Sequence, residues 1–259
     1  MRLAWRLSGV VGIFFLFLHQ ACAERLVLSL SNDRVQIASN FVGENLVMFG
    51  AIEPDTGNNL RQGGYDLVVT VTGPRETMRT RRKQRVLGIW VNVDSREFVR
   101  VPSYLAVLSN RPVRQIADVG TLRRLQLGLD NFLLTQRIGP DIADTVRDDP
   151  FRVAFIRLQS RHGLYREAGD AVKFLTPAVF RAETPLPANV PTGVFTINVK
   201  LFAAGALVAE TNASLEVIKT GVEQYVAEAA VAHGLIYGIA TMLLALLTGW
   251  IANVAFRRD

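Results

Sequence analysis

Five cations fall within seven residues of this chain: Arg79, Arg81, Arg82, Lys83 and Arg85. So dense a run repels itself, and its chemistry is the binding of negative charge. Anionic lipid headgroups or an acidic partner surface would both suit it. A solvated edge strand that blocks unwanted pairing also has this composition. The apolar stretch near the C-terminus carries a second pattern. Gly234, Gly238, Thr241, Ala245, Thr248 and Ala252 recur at alternating four- and three-residue steps, which keeps them on one stripe of a helix. Gly249 and Asn253 widen the stripe, and small residues let two helices approach closely in lipid.

Other chemistries have little to work with. The one cysteine, Cys22, lies in the N-terminal leader, so thiolate and cysteine-metal chemistry are excluded from the mature chain. Of three histidines, His19 is in the same leader, His233 borders the apolar stretch, and His162 lies beside Ser160 at a helix end. A histidine in a last helical turn complements the helix dipole without catalysis, and no G-x-S-x-G motif is present. Asp141, Asp144, Asp148 and Asp149 lack calcium-loop spacing. Glu53, Asp55, Asn58 and Asn59 could offer oxygens to a cation, yet turns have this composition anyway. We expect no catalytic residue, no cofactor and no resident metal, hence not an enzyme. A small-anion sensor and an enzyme using carboxylates and arginines are the rival readings.

The elements that must carry these groups are mostly strands. Leu26, Leu28 and Leu30, Val35 and Ile37, Tyr65 to Val71, and Leu87 to Val93 alternate apolar and polar residues, as half-buried strands do. Phe195 to Leu201 and Leu207 to Val217 alternate likewise around a turn at Ala203-Ala204-Gly205. Between residues 112 and 166 the period changes. Ile116 to Phe132 has helical spacing, and a second helix runs from the cap candidate Asp149 and Pro150 to Gly163. Thr184 to Gly193 reads as a proline-rich turn. The pattern predicts a mainly β fold: an Ig-like antiparallel β-sandwich over residues 24–219 with a helical insertion at about 112–166, plus one transmembrane helix. Two separate small sandwiches are the alternative.

Gly234 to Phe256 holds no charge. As a helix at about 1.5 Å per residue it reaches about 34 Å, enough to cross a hydrocarbon core of about 30 Å. Arg257 and Arg258 follow at once, and positive charge stays on the cytoplasmic side. The N-terminus agrees: Arg2 and Arg6, an apolar run from Leu7 to Leu18, and Ala21-Cys22-Ala23 read as a signal peptide over residues 1–23. Residues 220–233 form a helical stalk, 234–256 the span and 257–259 a cytoplasmic tail. Two basic residues at each end of the chain and one terminal acid lie outside residues 24–233, so that portion carries 25 of the 29 basic and 22 of the 23 acidic residues. That mild excess gives no argument for nucleic acid. The partners expected are membrane lipid and either a multispan, transporter-like membrane protein or a second copy of the helix.

Three stretches carry a resemblance: RVQIASNFVGENLVMFGAI from Arg34 to Ile52, LPANVPTG at 186–193, and LIYGIATMLLALLTGWIANVAFRR at 235–258. They resemble the putative transmembrane protein family of alphaproteobacteria, most closely at Ser39-Asn40-Phe41 to Phe49-Gly50 and at Gly249-Trp250 to Arg258. No catalytic residues are assigned to that family, so the resemblance brings no site. It implies a bacterial inner membrane, a periplasmic domain and, from permease-like genes nearby, a transporter accessory. A reporter active only in the periplasm should work when fused after Lys219 and be silent when fused after Asp259; the opposite pattern would reverse the orientation.

Overall fold

The computed structural model describes residues 24–38, 41–53, 63–220 and 230–256. The signal peptide, Ser39 and Asn40, the oxygen-rich loop at Asp55, Asn58 and Asn59, most of the stalk and the cytoplasmic tail lie outside the described residues. Strands dominate. In chain order they begin with β1 (Arg25–Leu30), β2 (Arg34–Ile37), β3 (Gly43–Glu53) and β4 (Asp66–Thr72). Then come β5 (Arg75–Val86), β6 (Ile89–Pro102) and β7 (Leu105–Ser109). A 3-10 turn at Val113–Gln115 and helix α1 (Val119–Arg124) precede β8 (Thr135–Ile138) and β9 (Asp141–Asp144). Helix α2 (Pro150–Arg161) leads to β10 (Tyr165–Ala168), β11 (Val172–Phe174) and β12 (Val179–Pro187). β13 (Gly193–Ala203), β14 (Ala206–Lys219) and helix α3 (Gly234–Phe256) complete the chain.

Two sheets pack face to face, and a third leaves them. The first has the order β1-β3-β12-β11, the second β10-β7-β4-β13-β14-β2, and the third β5-β6-β8-β9. One buried cluster joins the first two: Leu46, Met48 and Phe180 from one sheet meet Val69, Phe195, Ile197 and Leu215 from the other. In β1, β13 and β14 the alternation read from the sequence is that of strands with one face in this core, whereas β4, expected as half-buried, is covered on both faces, with Val69 in this core and Val68 under Ile116 and Leu122. Two edges add what alternation alone does not show, since β10 runs parallel to β7 and β2 parallel to β14. Such pairings join residues far apart in sequence and leave no local signal.

Two readings of element type need correction. The helix expected over Ile116 to Phe132 is only Val119–Arg124. Gln126 (φ 53°) and Gly128 (φ 88°) turn the backbone into the left-handed region and end it. Ile116, Leu122 and Leu127 instead cover the outer face of the second sheet at Val68, Val107 and Phe202. The stretch 112–166 also contributes strands β8 and β9. Thr184 to Pro187, expected as turn, belongs to β12 and pairs with β3. The Glu183 N–H points to Ala171 on the β11 side. Pro185 and Pro187 share that side, which is open beyond the three residues of β11, so their missing N–H groups cost no ladder bond.

Other local signals hold. The Asp149 carboxylate accepts from the Phe151 and Arg152 amides at 2.8 and 3.2 Å, with Pro150 opening α2. Gly163 follows α2 with φ 73°. At Gly50 the sheet packs backbone against an aromatic ring: an added Cβ would lie 2.2 Å from the Phe180 ring and 2.8 Å from the Val27 carbonyl. Gly50→Ala should therefore destabilise the domain by about 1–3 kcal/mol through overpacking. Gly63→Ala, with open space around it, should be near neutral in the same urea denaturation series.

Candidate functional site

The basic run lies on a ribbon that grows out of the core. The β4–β7 ladder pairs Val68 with Ser109 through to Thr72 with Leu105. The Gly73 amide then donates to the Tyr104 carbonyl and the Ser103 amide to the Pro74 carbonyl, both at 2.8 Å. The next pair is Arg75 with Pro102, so β5–β6 continues the same ladder without interruption. The register slips twice, after Glu76 and after Arg82, each time with the extra residue on β6. Arg100 (φ 55°) occupies the first bulge. Bulges of this kind sharpen twist and end flat pairing.

The base of the ribbon is held firmly. The Tyr165 hydroxyl donates to the Pro102 carbonyl at 2.7 Å. Tyr104, fully buried, has its hydroxyl 3.0 Å from both Thr184 Oγ1 and the Pro185 carbonyl. Burial pushes both phenols above their ordinary pKa. Phe98 packs against Phe155 of α2 with ring centroids 4.9 Å apart and planes tilted by 43°, and the Arg96 guanidinium sits 5.4 Å over the Phe151 ring. Glu97 accepts from Arg79 at 2.8 Å and from Arg137 at 2.9 Å. Those hydrogen bonds hold its carboxyl below the usual glutamate range. What stability they add is complete above that range and is lost as pH falls through the lowered pKa.

Alternation sorts the expected site residues. Arg79, Arg81, Lys83 and Arg85 occupy every second position of β5 and therefore share one face. Arg82 is on the other, facing Asp94 at 3.9 Å. Arg79 is engaged by Glu97, and Arg85 donates to the Gly88 carbonyl at 3.2 Å. Arg81 and Lys83 form no ion pair among the described residues. Between Arg75 and Pro102 the ribbon has eight basic and three acidic residues, which accounts for most of the chain's net charge of +6. A cleft of about 470 Å³ separates it from α2, with Arg82, Arg96 and Arg157 on its walls and Asp94 and Asp149 among them. A surface with this excess of cations attracts negative charge.

The tip was not legible as a site. Leu87 to Val93 alternates like a half-buried strand, but none of these residues is buried. Leu87 is 98% exposed, Ile89 70% and Trp90 67%. Val86 pairs with Ile89 across a two-residue turn whose central residues, Leu87 (φ 50°) and Gly88 (φ 87°), are both left-handed. Type I′ turns of this form favour Asn, Asp or Gly at the first central position. The pair of alternating runs around Leu87-Gly88 is the signal that could have placed the turn.

The remaining candidates stay apart. His162 caps α2 in the open, and its ring makes no hydrogen bond among the described residues. No three of His, Cys, Asp and Glu gather as metal ligands among the described residues. Gly234, Gly238, Thr241, Ala245, Thr248, Gly249, Ala252 and Asn253 all lie on the continuous helix α3. A Cβ added at Gly234, Gly238 or Gly249 would meet nothing within 4 Å. Thr241 Oγ1 donates to the Tyr237 and Gly238 carbonyls and Thr248 Oγ1 to those of Leu244 and Ala245, at 2.9–3.0 Å. The stripe thus keeps its hydroxyls satisfied within the helix.

The chain matches the model of a family described as "Putative transmembrane protein" over residues 25–258, and it belongs to that family. Helix Gly234–Asn253 is its one candidate membrane span among the described residues. No curated protein matches the chain. A solved structure, the N-terminal domain of the Streptococcus gordonii adhesin Sgo0707, is similar at 8% identity and a TM-score of 0.27. The match covers 75% of this chain and 32% of that one, so this chain spans about a third of its length. Likeness so slight transfers neither fold nor function. Within the site itself, a left-handed leucine costs about 1–2 kcal/mol. Leu87→Asn should therefore raise stability in urea denaturation by about 0.5–1 kcal/mol, contrary to most substitutions.

Proposed function

We propose that this member of the family is a single-pass inner-membrane protein whose periplasmic β-domain acts as a non-enzymatic accessory subunit of a multispan, transporter-like protein. The observation that carries the reading is the direction of two strands. β4 runs towards Thr72 and continues into the ribbon; β14 runs towards Lys219 and continues to the span. Both are antiparallel to β13, so they point the same way. Gly193 of β13 pairs with Val217, and a Cβ on it would lie 3.1 Å from Pro74. Pro74 and Val217 are therefore level, and the chain leaves for the membrane at the end where the ribbon emerges.

That arrangement suits a subunit that works at the membrane face. The cationic ribbon and the span are presented together, while the opposite end of the sandwich carries the short β13–β14 turn. The signal-peptide pattern and the terminal Arg257-Arg258 support an exported domain and a cytoplasmic C-terminus. In lipid, helices associate through close packing, and the small-residue stripe of α3 supplies a face for it. Asn253 can add an interhelical hydrogen bond of about 0.6 kcal/mol.

Gly238→Leu combined with Ala245→Leu should preserve membrane insertion and abolish association. The check is affinity purification from detergent-solubilised membranes, with the unaltered protein retaining a multispan membrane protein and the double variant losing it. Retention of the same companion by the double variant would reduce the helix to an anchor.

A further inference from the structure

We infer that the tip of the β5–β6 ribbon is a lipid-binding element. Leu87, Ile89 and Trp90 enter the headgroup layer of the membrane that anchors the chain, and Arg81, Lys83 and Arg85 contact its anionic phosphates. The inference rests on the orientation proposed above and names the ligand of that ribbon. Scattered exposed apolar side chains are ordinary; these are gathered at one convex point, next to cations. Leu87 occupies a turn position that polar residues or glycine fill at less strain, and its side chain touches almost only solvent. Trp90 pairs across the ribbon with Arg85, and tryptophan with flanking cations is the side-chain set of the membrane interface.

Reach agrees with this. The twelve residues of β5 extend about 40 Å at about 3.3 Å each. The segment between Lys219 and Gly234 spans about 20 Å if helical and at most about 50 Å if extended. Both start level, so the tip falls within reach of the bilayer surface. Depth is limited by the backbone. Among the described residues the outer edge of β5 pairs with no strand, and β6 meets β8 only at Phe98 and Gln136. Unpaired N–H and C=O groups cannot enter hydrocarbon, so the tip stops among the headgroups. A convex two-residue turn also offers far less than the roughly 1,000 Å² of a specific protein interface. A fluid bilayer accepts such a tip without a matching pocket.

The test uses full-length protein in which Trp5→Phe and Trp250→Phe leave Trp90 as the sole tryptophan. It is reconstituted into vesicles of phosphatidylethanolamine and phosphatidylglycerol, with and without acyl chains brominated near the glycerol. Trp90 emission should be blue-shifted and quenched by the brominated lipid. Each cation near an anionic surface strengthens binding about fivefold, so Arg81→Ser, Lys83→Ser and Arg85→Ser together should abolish the quenching. Leu87→Asn should weaken it as well, and because that change relieves turn strain the loss cannot come from unfolding. Water-like, unquenched emission overturns the inference and leaves the accessory reading to co-purification. Blue-shifted but unquenched emission also overturns it, and points to a protein contact at the tip. Quenching that is equal in the triple variant and in phosphatidylcholine vesicles overturns recognition of anionic lipid.

Discussion

One antiparallel ladder runs from the Val68–Ser109 pair in the core to the Val86–Ile89 pair at the ribbon tip. The rest of the molecule depends on it. Inside the sandwich its strands are buried on both faces, by the first sheet on one side and by the segment around Ile116 and Leu122 on the other. Outside, the same two strands have no sheet to cover them. A two-stranded ribbon is marginal in water by itself. Here the buried half supplies the free energy that sets the direction of the exposed half. Tyr104, Tyr165, Phe98 and the Arg79–Glu97–Arg137 cluster fix the point of exit. Beyond Arg81 and Ser95 only cross-strand pairs remain.

The ladder and the anchor are related by strand direction. β13 lies between β4 and β14, and two antiparallel steps return the same direction, so both flanking strands leave by the same end. This follows from hydrogen-bond register within the sandwich and needs no assumption about the stalk. It gives the cations a setting that composition alone could not. A basic run on any exposed loop attracts anions weakly, with salt screening it over about 10 Å. At the end from which the chain leaves for the span, a basic run is carried towards the bilayer by the ribbon itself, which is how it would come within that distance of an anionic surface.

Much of this was legible in the sequence, for identifiable reasons. The span is long and uncharged, and neither context nor tertiary packing can disguise that. Asp149, Pro150 and Gly163 each act through local backbone chemistry, so the ends of α2 could be read. The β13–β14 hairpin alternates because one face is buried. The same pattern misled at Leu87 to Val93: period two reports a pleated ribbon and is silent about whether either face is covered. Ile116 to Phe132 misled in the other direction. Its apolar residues cover the second sheet from a short helix and two left-handed turns, and helical spacing arises there without one long helix. The parallel edges at β2 and β10 pair residues far apart in sequence, for which one sequence has no signal.

The central claim is that the ribbon and the span belong to the same end of the domain. It can be measured by pulsed electron paramagnetic resonance on full-length protein in a bilayer. Spin labels would be carried on Gln84→Cys at the ribbon, Ala206→Cys at the opposite end of the sandwich and Leu235→Cys at the head of the span, in pairs, with Cys22→Ala as background. All three label sites are exposed. The account predicts a distance from 84 to 235 clearly shorter than that from 206 to 235. The reverse order would place the ribbon away from the membrane and contradict it.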